Sequence, residues 1–375
     1  MNDARTTKCV VRDVMGAMES IAPAHLAAPG DHVGLQAGTP GQPVARVLVA
    51  LEASVGVLAR AARVKGTLVV THHPRIYRPL GDLRLDRFGG AVAAAVLRHD
   101  IALFAAHTNL DVAPGGVNDN LAAIAGLRDA TVLATIHRLS FSKLTVFVPV
   151  ADWEKVAAAV CAAGAGRLGK YRDCVYRVLG KGRFRPGVGA RPHLGRVGRL
   201  TEVEECRLEA LVAPGVRKAV EKALLATHPY EEPAYDFAPC ERAEDFGFGR
   251  VGRLSRPTTL DAYAKRMKRA LASPGVLCAG VPAWPVARVA VWSGAGVDVG
   301  AVLRSGVDAI VCGELDHHSA EALCQARVGA IVVGHGPSEE HVIAPLAKRL
   351  AAALPGVPIV PVVGGDAAAH YFRGV

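Results

Sequence analysis

Thr67-Leu68-Val69-Val70-Thr71-His72-His73-Pro74 decides how this chain is read, because a short β-branched run stops directly at two adjacent imidazoles. The run reads as a strand. Two other stretches repeat the plan. Leu103-Phe104-Ala105-Ala106 leads into His107-Thr108-Asn109-Leu110-Asp111, and Ile331-Val332-Val333 leads into Gly334-His335-Gly336-Pro337-Ser338-Glu339. In an open parallel sheet the carboxyl ends of the strands share one edge, where ligands bind. The three stretches are therefore expected to converge on one such edge.

Working outward, strand-like runs at 46–51, 67–70 and 101–105 alternate with helical patterns, and the rhythm returns at 287–292, 309–311, 330–333 and 359–363. This is the pattern of a parallel α/β fold. Between these ends the order changes to strand 144–148, helix 154–163, strand 174–179, strand 206–212, helix 217–227 and strand 234–237. A β-α-β unit followed by another β-α-β unit is the order of a ferredoxin-like domain. The expected organisation is a metal-binding α/β core with its first half at 1–126 and its second half at 242–375, interrupted by an inserted α+β domain at 127–241.

Imidazole and carboxylate together suit Zn, Fe, Mn or Co. His72, His73, Asp111, His335 and Glu339 are more ligands than one tetrahedral ion needs, which points to two divalent metal ions per subunit. A carboxylate such as Asp111 or Glu339 can bridge two ions ~3.5–4 Å apart, and such a pair generates hydroxide from water near neutral pH. His107 lies four residues before Asp111, and His335 four before Glu339. His107 is a candidate catalytic residue beside the centre, or else orients a ligand from behind it. A fourth segment, Cys312-Gly313-Glu314-Leu315-Asp316-His317-His318, follows another apolar run and would reach the same edge. Glu314 is the candidate general base and His317 the candidate substrate contact. The plainer reading of that segment is a helix N-terminus, which favours acidic residues.

Half of the 375 residues are apolar and 21% are charged, which excludes a disordered chain. No apolar run approaches the ~20 residues of a membrane span. The first residues lack the pattern of a secretory signal, so a cytoplasmic protein is expected. Eight cysteines without a Cys-x-x-Cys pair are expected to be reduced. The net charge of +10 is scattered, with a modest concentration at 170–199, and this counts against nucleic acid as a partner.

At the residues quoted above the chain resembles the GTP cyclohydrolase 1 type 2 homologue family, also called Nif-three-like dinuclear metal centre proteins. The likeness extends to Asp31-His32-Val33-Gly34-Leu35-Gln36 and Gly115-Gly116-Val117-Asn118-Asp119. Glu52 stands where that family usually has Asp. The resemblance implies metal ligation by His72, His73, Asp111, His335 and Glu339, inside a ring-shaped homohexamer. It also implies that the insert is similar to CutA and PII-type domains, marked by His228-Pro229-Tyr230-Glu231-Glu232-Pro233.

Two functions follow as expectations. One is a metal-dependent hydrolase, or cyclohydrolase opening cyclic amidine C–N bonds, with a nucleotide such as GTP as substrate. The other is a non-catalytic metal-binding regulator or scaffold with a ligand-sensing insert. Gly164-Ala165-Gly166-Arg167-Leu168-Gly169-Lys170-Tyr171 imitates a phosphate loop, but a helical pattern precedes it, and the reading is a helix end and turn. Gly294-Ala295-Gly296 after a strand is read as a tight turn, or else as amides that approach an anionic substrate.

Overall fold

Leu, Val and Ala runs that are covered on both faces form buried parallel strands. Thr67–Thr71 and Ala102–Ala105 are buried along their whole length in the computed structural model, which describes residues 9–77 and 81–364. Asp3, Arg5 and Lys8, part of the leader reading, lie outside the described residues. Among the described residues no helix is long and apolar enough to cross a membrane. The chain divides into two units, Met1–His137 with Phe246–Val375, and Arg138–Asp245.

The first unit holds two sheets. One runs in the order Gly34–Ala37, Ala102–Ala105, Thr67–Thr71, Arg46–Ala50, Ile359–Val362, with only the first pair antiparallel. Leu48, Val69, Leu103 and the helix residues Val57 and Val96 form its core. In the other, the final part of Tyr235–Thr259 pairs antiparallel with Pro285–Trp292, which is followed by parallel Ala309–Cys312 and Gly329–Val332 and then antiparallel Leu277–Ala279. Tyr263 and Met267 of helix Leu260–Ala270 pack there on Val289, Val311 and Ile331.

The single shared edge expected from sequence is thereby corrected to two edges. Ile359–Val362 pairs with Arg46–Ala50 and completes the first sheet, whereas Pro285–Trp292 starts a second one on an antiparallel neighbour. His72, His73, His107 and Asp111 leave strands of the first sheet, and His335 and Glu339 leave a strand of the second.

In the second unit the strands lie in the order Val175–Phe184, Thr201–Val212, Leu127–Pro149, Tyr235–Thr259, the last two entering from the first unit. Helices Trp153–Ala162 and Arg217–Thr227 place Val156, Val160, Val220 and Leu224 on Leu144, Val146, Leu208 and Ala210. This is the ferredoxin-like arrangement. Its two longest strands, of 23 and 25 residues, extend far beyond the runs 144–148 and 234–237. Much of their length is exposed and charged, and so lacks the apolar signal that marks a strand in sequence.

Candidate metal centre

Past the end of Thr67–Thr71 the backbone keeps its pairing, with the His72 amide donating to Ala50 at 3.2 Å and the His73 amide to Leu51 at 2.9 Å. Both imidazoles are therefore held as rigidly as the sheet. His72 is fully buried, and its Nδ1 donates to the Ala106 carbonyl at 2.9 Å. Among the described residues its Nε2 has no hydrogen-bond partner. That nitrogen stands 3.8 Å from Asp111 Oδ1 and 3.7 Å from Glu339 Oε1.

Asp111 lies on the short helix Thr108–Val112, and its Oδ1 accepts from the Ser293 hydroxyl at 2.9 Å. His335 and Glu339 begin and end the helical turn His335–Glu339, where a separation of four puts side chains on one face. Glu339 Oε2 is 2.9 Å from His73 Nε2 and 3.3 Å from His335 Nε2. The His72, His73 and Glu339 ligand atoms all lie within 4.8 Å of one another, a grouping that could hold a metal ion.

The donor set fits a cation. Bonds of ~2.0–2.2 Å around a four-coordinate ion place ligand atoms roughly 3.3–3.6 Å apart. The separations of 3.3, 3.7 and 3.8 Å are close to that, and the last two, around the buried His72, are too long for the hydrogen bonds that a buried imidazole otherwise needs. Only the 2.9 Å His73–Glu339 contact is shorter, as a shared proton makes it.

The electrostatics agree. Burial opposes a charged His73, yet its hydrogen bonds to Glu339 and Glu52 push its pKa up to about 10. Burial likewise opposes the charged forms of His72 and Glu339. The Asp111 and Glu339 carboxylates nevertheless raise His72, and the two imidazoles hold Glu339 well below the usual carboxylate range. Asp111 is raised by burial, against the pull of His72. Without a metal, protons carry the positive charge that this site demands.

Around the five candidate ligands stand groups that orient them. Glu314 accepts from His335 Nδ1 at 2.7 Å, and Glu52 meets His73 Nδ1 at 3.4 Å. The His107 ring lies 5.4 Å from that of His72, and its Nδ1 donates to Asp31 Oδ1 at 2.9 Å. Asp31 also accepts from the Thr108 amide and hydroxyl. His317, the expected substrate contact, is not brought to this cluster. It is exposed at the start of helix His317–Gln325, with its ring on His318, while Asp316 caps that helix by accepting from the Ser319 amide at 3.0 Å.

Asp31, Glu52, Ser293 and Ser338 carry no chemical role in the sequence reading. Ser293 directly follows Pro285–Trp292, so the rule that exposed the ligands could have found it. Gly294 has φ +63°, and a Cβ there would collide with Glu339 Oε1. Its amide donates to Ser338 Oγ at 2.9 Å, so this amide is occupied within a packed turn. Gly164, at φ +110°, follows helix Trp153–Ala162 as a helix end should.

A cavity of about 1680 Å³ opens beside the cluster, lined by Glu52, His73, Tyr77, His107, Glu314 and His335 among others. That exceeds the ~300–1,000 Å³ of an ordinary small-ligand pocket.

Comparison with known proteins agrees with these features. The Duf34/NIF3 (NGG1p interacting factor 3) family profile matches residues 9–363. A Halalkalibacterium halodurans protein called "GTP cyclohydrolase 1 type 2 homolog" is 38% identical over 324 residues, which are 86% of this chain and 87% of that protein. A Bacillus subtilis protein of the same name is 39% identical over 326 residues, again 86% and 87%. The crystal structure of a Bacillus cereus protein related to NIF3 superimposes with a TM-score of 0.85 at 33% identity, covering 99% of this chain and all of that one. With the fold, the ligand cluster and the full-length match in agreement, this chain belongs to the Duf34/NIF3 family.

Proposed function

We propose that the chain is a metal-dependent hydrolase with a two-cation centre that acts on a nucleotide such as GTP. The observation that carries this reading is Glu339. Its Oε1 faces His72, which in turn neighbours Asp111, while its Oε2 faces His73 and His335. His72, His73, Asp111, His335 and Glu339 would hold the cations. Zn, Fe, Mn and Co all suit these donors. Divalent cations so held would lower the pKa of water and polarise a substrate oxygen.

The chain's own residues supply the rest. Because a carboxylate only accepts, Asp31 fixes the proton of His107 on Nδ1 and leaves Nε2 to exchange protons with a molecule in the cavity. Glu314 holds the His335 ring by its other nitrogen, as Glu52 does for His73. Relatives named as GTP cyclohydrolase homologues make GTP the first substrate to try.

The test is metal analysis of purified protein followed by turnover assays with GTP and other nucleotides, with Asp111→Ala as control. Two equivalents of metal with turnover that Asp111→Ala abolishes is the expected result. Two equivalents without turnover would favour a regulator or scaffold, a reading helped by the separate cleft in the second unit. Protein that takes up no transition metal would end both readings.

A further inference from the structure

Within the second unit lies a cleft of about 430 Å³, with Phe147, Arg183, Phe184, His193, Glu205 and Tyr230 in its walls. We propose that this cleft binds a purine nucleotide whose base presents adjacent N–H donors, as guanine does, independently of the metal centre.

Glu205 carries the argument. It is 8% exposed, and among the described residues only the Tyr230 hydroxyl donates to it, at 2.8 Å. A carboxylate can accept about four hydrogen bonds, and a buried one left mostly unpaired is costly. Gly182 makes room for it, since a Cβ there would strike Glu205 Oε2. The site is also rigid. His228 bonds the Phe147 carbonyl through Nε2 at 3.0 Å and accepts the Tyr230 amide at Nδ1 at 3.1 Å. With both nitrogens used in this way, His228 serves to pin Tyr230 in place, and the His228 to Pro233 turn becomes a fixed wall.

The remaining walls define the ligand. The ring of Tyr230 lies 6.0 Å from that of Phe184 and 6.2 Å from that of His193, and Phe147 is 40% exposed, so an aromatic guest meets aromatic faces. Seven of the cleft residues come from segment 170–199, which holds nine Lys or Arg against one acidic residue, Asp173. Glu231 and Glu232 stand exposed at the rim, and Glu231 is occupied by the Arg191 amide at 2.9 Å. In the lining itself Arg183 is the cation, beside Glu205, Glu231 and Glu232, so it is Arg183 that a phosphate would meet. A neutral base that donates to Glu205 and carries a phosphate satisfies both ends. Guanine places an imino and an amino N–H side by side, whereas adenine would turn a lone pair toward the carboxylate.

The experiment is calorimetric titration of EDTA-treated full-length protein with GMP, AMP and inorganic phosphate. One GMP per chain is expected, with AMP and phosphate each at least tenfold weaker. Glu205→Gln should weaken GMP at least tenfold, and Asp111→Ala should leave it unchanged. If Glu205→Gln unfolds early, Phe184→Ala, which removes a cleft wall without breaking a side-chain hydrogen bond, should give the same loss. The proposal is overturned if GMP does not bind at millimolar concentration, if AMP or phosphate binds as well, if both cleft variants match the parent, or if Asp111→Ala abolishes binding.

Discussion

Replacing Gly294 with Ala separates the demands of the fold from those of the metal. The residue sits at φ +63°, so a methyl group there costs about 1–2 kcal/mol of backbone strain. In a unit of this size that lowers the melting temperature by roughly 2–8 °C. The methyl group would also overlap Glu339 Oε1 and come to 3.4 Å from His335 Nε2. The overlap is relieved if the carboxylate retreats by about 1 Å, a movement that a side chain makes cheaply. Metal bonds, however, tolerate only ~0.2 Å. Metal affinity should therefore fall by at least about 100-fold, the upper end of what losing a ligand's supporting partner costs. Chelator competition followed by elemental analysis reads the affinity, and calorimetry reads the stability. A Gly294→Ala protein that melts a few degrees early yet binds metal like the parent would refute the assignment of Glu339 as a ligand.

Ser293→Ala removes the hydroxyl that holds Asp111 and should weaken metal binding about tenfold with little change in melting, as chelator competition can show. Glu314→Ala frees His335 Nδ1 and should weaken metal binding roughly 10–100-fold; unchanged affinity together with lost turnover would instead make Glu314 the general base. In metal-free protein His73 has its pKa raised to about 10. Its ion pairs therefore stabilise fully below the ordinary value near 6.5 and are lost as pH rises toward 10, so the apoprotein should melt progressively earlier across that window. Metal-loaded protein, in which the imidazole is already neutral, should not show that slope, and thermal melts with and without EDTA compare the two. Light scattering should find six copies per particle, and a monomer at micromolar concentration would remove the ring from the description.

The cluster of His72, His73 and Glu339 was legible because His72, His107 and Gly334 directly follow apolar runs, with Asp111 and Glu339 one helical turn beyond the histidines at 107 and 335. The division of those runs between two sheets was not, since it depends on whether Ile359–Val362 pairs with Arg46–Ala50 or with Pro285–Trp292, and nothing local to those residues records the choice. Asp31 reaches the site from a loop with no periodic signature, whereas Glu52 directly follows the run 46–51 and the same rule could have found it. The limits of the second unit at Arg138 and Asp245 fall inside continuous strands, where no turn residue or change of composition marks them. His317 misled for the opposite reason. It follows an apolar strand as the ligands do, but the helix that begins at His317 leaves it in solvent.

The His73–Glu339 contact joins residues 266 positions apart, and the whole inserted unit is translated between them. While the ribosome is still making that insert, the emerging chain has His72, His73 and Asp111 but neither His335 nor Glu339. Any cation bound then would meet an incomplete and looser cage, free to take up the wrong element and lose it again. A cage with all of these donors therefore exists only once residue 339 has been made.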